Sequence, residues 1–140
     1  MREESSAMTY LVPYVAALVI FGIIDFAWLN TVGKLFYRPL LRDILMDDLR
    51  IGPAILFYLT YPLGLVVFAV LPGLHADSTG TTFSDALLFG ALAYGTYDLT
   101  NYATLRNWTL QITVVDICYG ALASAIAAAV AMLVAHAFTH

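Results

Sequence analysis

Charge is scarce in this sequence. Only 11% of its 140 residues are charged, while 61% are hydrophobic. Soluble domains carry about 25% charged residues, so an ordinary soluble domain is excluded. Cysteine is scarcer still. Cys118 stands alone, which excludes an intramolecular disulfide and any chemistry that needs a cysteine pair. Lys and Arg number six in all, and no basic stretch points to nucleic acid. Also missing are an H-E-x-x-H helix, a G-x-S-x-G elbow, a glycine-rich phosphate loop and a histidine pair for haem. The sequence points to no particular cofactor. The net charge of −4 is spread over short polar segments and says little about partners.

What is present is apolar length. Four runs stand out, at about residues 10–32, 51–71, 83–104 and 111–136. Each holds the roughly 20 residues with which a helix, rising 1.5 Å per residue, crosses a bilayer. Backbone groups in lipid must be satisfied within their own segment, so such runs are helices. The reading is a single all-α domain over residues 1–140, an integral membrane four-helix transmembrane bundle. The leader Arg2, Glu3, Glu4 is net negative and the first run contains Asp25, which argues against a removable signal peptide. Lys34, Arg38, Arg42 and Arg50 lie between runs one and two, and Arg106 lies between runs three and four. By the positive-inside rule these loops face the cytoplasm, with both termini outside. In the first loop, Pro39 can open a short helix with Leu40, Leu41, Ile44 and Leu45 on one face, the pattern of a helix lying among the headgroups.

The runs are interrupted by carboxyls. Asp25, Asp98 and Asp116 fall in runs one, three and four, all roughly 8–10 Å inside the cytoplasmic edge. A central Asp costs about 2.5–3.5 kcal/mol on insertion scales, so three facing lipid would cost up to roughly 10 kcal/mol, comparable to a domain's whole stability. They should face the interior and share one site. No base lies at that depth. The carboxyls can hold protons, accept hydrogen bonds, or attract a cation or a folded-back Arg106. Donors are at hand. Tyr94, Asp98 and Asn101 line one helix face with Tyr97 beside them, Asp116 and Tyr119 are i, i+3, and the second run offers Tyr58 and Tyr61 ahead of Pro62. These ten residues, with Arg106, Asp25 and Asp116 among them, are the candidate ligand-binding or proton-relay set. The bland alternative is a polar network that only holds helices together. Trp108 fits an interface anchor, and Trp28 fits either an anchor or a ligand contact. His75, His136 and His140 fall at the opposite side from the carboxyls and read as surface residues.

Two further patterns concern architecture. "FGIID" and "YGTYD" share aromatic-Gly-x-x-Asp at matching depth, the mark of two duplicated helix pairs. Gly120, Ser124 and Ala128 form a small-residue stripe suited to close packing within the bundle or in a homodimer.

The stretches "LFYLTYPLGLVVFAV", "YGTYDLTNYATLRNW" and "VVDICYG" resemble a family of small bacterial membrane proteins catalogued as domain of unknown function 2177. The resemblance runs from about Tyr14 to Ala129. It implies a four-span protein of the bacterial inner membrane, with Tyr94, Gly95, Tyr97, Asp98, Asn101 and Asp116 at signature positions. It implies no activity or cofactor. Three functions compete. The favoured one is a small-molecule or lipid binder or transporter, coupled to protons. The second is an enzyme acting on lipid or isoprenoid by Asp acid–base or metal chemistry. The third is an accessory subunit of a membrane complex.

Overall fold

Apolar runs that cannot hydrogen-bond to their surroundings must form their own backbone bonds. The computed structural model describes residues 2–139, and among these it is helical with no strand; His140 lies outside them. The first rod is α1 (Arg2–Trp28), continued by a π-helical stretch (Leu29–Tyr37) and one last turn, α2 (Arg38–Leu40). The second is α3 (Ile51–Leu65), a π-helical stretch (Val66–Val70) and α4 (Leu71–Ala76). The third is α5 (Thr79–Thr104) and the fourth α6 (Leu110–Thr139). Among the described residues, three segments are long and apolar enough to cross a membrane: Ala7–Leu40, Ile51–Ala76 and Leu110–Phe138. The tyrosines, threonines and Asp98 of α5 set it apart from them in composition.

The ends are built from local chemistry. Ser78 caps α5 by accepting from the Thr81 amide at 3.1 Å, and Thr109 does the same for the Ile112 amide at 3.1 Å. Asp77 takes a left-handed conformation at φ 51°, which stops α4 and turns the chain straight into α5. Gly73 is required there, because a Cβ would lie 1.6 Å from the Thr82 hydroxyl. That hydroxyl donates to the Ala69 carbonyl at 2.9 Å, which ties α5 to the second π-helical stretch.

α6 sits at the centre of the packing. It contacts α5 most extensively and α1 next, while the second rod leans on α1 and α5. Ala123, Ala125, Ala127, Ala128, Ala131 and Ala135 are all buried along it. Small side chains let helices approach closely where hydrophobic exclusion is absent. The stripe of Gly120, Ser124 and Ala128 is used inside this one chain. Gly90 of α5 faces the Gly120 carbonyl and Ser124, and Tyr94 lies over Gly120.

Two expectations change. The first rod runs to Leu40 rather than ending near residue 32. The headgroup-layer helix opened by Pro39 does not form, since residues 41–50 make turns and bends. Pro39 instead sits in the first turn of α2. Leu41 leaves the helix to pack with Trp108 and Ile112, and Asp43, Asp47 and Asp48 add poor helix formers beyond it.

Candidate functional site

The polar side chains gather where the first rod, α3, α5 and α6 meet, around two adjoining cavities. The inner one, here the chamber, has a volume of about 470 Å³ and is walled by Asp25, Trp28, Tyr61, Tyr94, Asp116 and Tyr119 among others. Asp25 is buried on α1, and each of its oxygens accepts one phenol. Tyr119 of α6 donates to Oδ1 at 2.6 Å, and Tyr58 of α3 donates to Oδ2. One carboxyl thus ties three helices together. Trp28, three residues after Asp25, stacks on the Tyr119 ring at 4.1 Å and 15° and fixes its plane. Tyr61 does not reach a carboxyl; its hydroxyl pairs with Ser124 Oγ at 2.7 Å. The Tyr94 ring stands edge-on to Tyr61 and Tyr119, at 6.0 and 6.1 Å.

The second carboxyl group is a pair. Asp116 Oδ1 accepts from the Tyr37 hydroxyl at 2.8 Å. Asp98 is fully buried, no donor reaches either of its oxygens, and its neighbour is the Asp116 carboxyl. Ionised carboxylates are acceptors only, so two of them side by side bond only by sharing a proton. An amide brings its own donors. Asp98→Asn is therefore expected to fold and to melt at or above the wild-type temperature in detergent. A melt several degrees lower would show that the two carboxyls do not meet.

The outer cavity, here the vestibule, has a volume of about 700 Å³ and lies under the first loop. It shares Leu29, Tyr37, Tyr97 and Asp116 with the chamber. Tyr37 and Asp116 thus form the partition between them. Lys34, Arg38 and Arg42 line the vestibule together with Asp47 and the buried Trp108. Tyr97 meets Trp108 edge-on at 5.5 Å.

The candidate residues divide accordingly. Asp25, Tyr58 and Tyr119 form one group, and Asp98 and Asp116 form another, with Asp25 and Asp116 facing the same chamber. The three carboxyls do not converge on one point, because Tyr58 and Tyr119 occupy both oxygens of Asp25. No group of three His, Cys, Asp or Glu among the described residues suits a metal, so a three-carboxylate metal centre is not assembled. Asn101 lines neither cavity and lies within reach of the Tyr97 phenol. Arg106 does not fold back; it is exposed in the turn after α5 and lines neither cavity.

Tyr37 is the residue that sequence reasoning missed. Twelve steps of an ideal α-helix would leave it about a third of a turn from the face of Asp25. The wider i→i+5 turn of the π-helical stretch advances less per residue and rotates it back. Its one sequence signal is the aromatic pair Phe36–Tyr37 placed ahead of Arg38–Pro39 at the end of a helix.

Long apolar helices around buried carboxyls and phenols define a helical membrane protein. The family described as "Predicted membrane protein (DUF2177)" matches residues 10–133. The chain belongs to that family, whose function is unknown. No curated protein and no solved structure matches it.

Proposed function

We propose that this chain is a four-span protein of the bacterial inner membrane, with both termini outside, that binds a small molecule or lipid in the chamber and exchanges protons at Asp98–Asp116 as the ligand moves. The observation that carries this reading is one aromatic cavity faced by carboxyls from two different helices, Asp25 and Asp116. A purely structural network would close over its polar groups rather than leave about 470 Å³ beside them. The span that joins the three long apolar segments is α5. Its outward residues include Leu88, Leu92 and Leu99. The hydroxyls of Thr96, Thr100 and Thr104 bond to carbonyls of their own helix four residues back, which leaves little for lipid to satisfy.

The test is native mass spectrometry of gently extracted wild type beside Tyr37→Phe and Asp25→Asn. A defined extra mass is expected on wild type, with affinity for it reduced about tenfold in Asp25→Asn, which corresponds to roughly 1.4 kcal/mol. A bare wild-type chain under conditions that preserve bound lipid would count against the reading. The Asp98–Asp116 pair also favours a second reading, an enzyme acting on lipid or isoprenoid substrates, since two carboxyls sharing a proton suit acid–base chemistry. Turnover of an extracted lipid, lost in Asp116→Asn, would select that reading.

A further inference from the structure

The two adjoining cavities carry opposite chemistry. In the vestibule the polar side chains are mostly donors, set among apolar ones. Lys34 and Arg38 are one helical turn apart, and Arg42 follows where the chain leaves α2. None of the three makes an ion pair among the described residues. Trp108 adds a buried indole N–H with no hydrogen-bond partner. Asp47 is the one loop carboxyl among them, so the set stays net positive. Bases in such a loop ordinarily do no more than set topology. Here they line a cavity of about 700 Å³ that runs on to Asp116. Unpaired guanidinium groups at the headgroup level match a phosphate through paired N–H donors.

In the chamber the pattern reverses. Its acidic groups are Asp25 and Asp116, and its walls are the rings of Trp28, Tyr37, Tyr61, Tyr94 and Tyr119. No base lines it. Aromatic faces with a carboxylate nearby are the surroundings that attract an ammonium group. Tyr37 and Asp116 belong to both cavities, so one small headgroup can touch both fields at once.

The geometry points to a zwitterionic amino-phosphate as the ligand, a headgroup of the phosphoethanolamine type. Its phosphate lies over Lys34, Arg38 and Arg42, and its ammonium passes Tyr37 toward Asp116 and the aromatic walls. This rests on the chamber being a ligand site, and it names the chemistry that site selects. A plain anionic headgroup would satisfy only the vestibule. A plain cation would satisfy only the chamber.

The test uses the full chain in detergent, titrated with short-chain phosphatidylethanolamine, phosphatidylglycerol and diacylglycerol, and with free phosphoethanolamine, each read by native mass spectrometry. Phosphatidylethanolamine is expected to bind at least about tenfold tighter than phosphatidylglycerol, as a desolvated cation–π contact with a carboxylate predicts. Diacylglycerol is expected not to compete. Replacing Lys34, Arg38 and Arg42 together by Gln should remove binding of both phospholipids. Asp116→Asn, which keeps an acceptor for Tyr37, should abolish only the preference for ethanolamine. Free phosphoethanolamine binding as tightly as the lipid would support the same headgroup chemistry and make the natural ligand water-soluble; weak binding of it would assign the lipid. Equal binding of phosphatidylethanolamine and phosphatidylglycerol to wild type, or unchanged binding in the triple variant, would overturn the inference. A co-purified mass that carries no amino-phosphate group would overturn it too while leaving the chamber as a ligand site.

Discussion

A single methyl group at position 90 is expected to push α5 away from α6. A Cβ built on Gly90 would lie 2.5 Å from the Gly120 carbonyl oxygen and 2.6 Å from Ser124 Oγ. The first obstacle is backbone, so no side-chain rotation relieves it. The second is held by Tyr61 at 2.7 Å, so a shift there would disturb the chamber wall. Overpacking a tight core costs about 1–3 kcal/mol, and a backbone clash at the tightest interface belongs at the top of that range or above. Gly90→Ala should therefore melt several degrees below wild type and lose monodisperse behaviour on size exclusion. Gly22→Ala is the matched control. Nothing lies within 4 Å of its Cβ position, and Ala in a helix interior is favoured over Gly by roughly 0.5–1 kcal/mol. It should match or exceed wild type. Equal melting of the two variants would mean that α5 and α6 do not pack at Gly90.

Asp25→Leu is expected to be the other severe change. It leaves the hydroxyls of Tyr58 and Tyr119 without their acceptor on a buried face. A buried unsatisfied polar group costs about 1–3 kcal/mol, so the pair should lose roughly 2–6 kcal/mol. Asp25→Asn keeps one acceptor oxygen and should lose much less. The informative variant is the triple Asp25→Leu, Tyr58→Phe, Tyr119→Phe. Removing donors and acceptor together leaves nothing unpaired, and replacing both partners by apolar groups is often nearly neutral. The triple should thus be more stable than Asp25→Leu alone, a non-additivity that thermal melts of wild type, Asp25→Leu, the Tyr58→Phe, Tyr119→Phe variant and the triple would measure. Additive losses would mean that these three residues do not interact.

Much of the fold lies near the surface of the sequence. Long apolar runs force helices, and the helices begin and end close to where Ser78, Asp77 and Thr109 dictate. The association of Asp98 with Asp116 follows from equal depth on neighbouring helices, since depth is set by a fixed rise per residue. Asp25 shares that depth but not that neighbour, because depth says nothing about rotation. Rotation is set by packing, and here Tyr58 and Tyr119 decide it. Tyr37 was hidden for a related reason. It lies beyond the first apolar run, and its face depends on a change of helical pitch that no residue pattern in Leu29–Tyr37 announces. The headgroup helix in the first loop was a pattern without competition from tertiary contacts. Leu41 supplied that competition by turning in toward Trp108 and Ile112. The basic lining of the vestibule was visible as loop charge, but its enclosure depends on the first rod reaching Leu40.

The chain has two tryptophans, and the fold places one in each compartment. Trp28 is stacked on Tyr119 in the wall of the chamber, and Trp108 is edge-on to Tyr97 in the vestibule. The molecule therefore carries its own pair of optical reporters, one per room. With Trp108 replaced by Phe, emission describes the chamber alone; with Trp28 replaced, it describes the vestibule. Whatever enters can be followed by colour and quenching, compartment by compartment and in order of arrival, with no label attached.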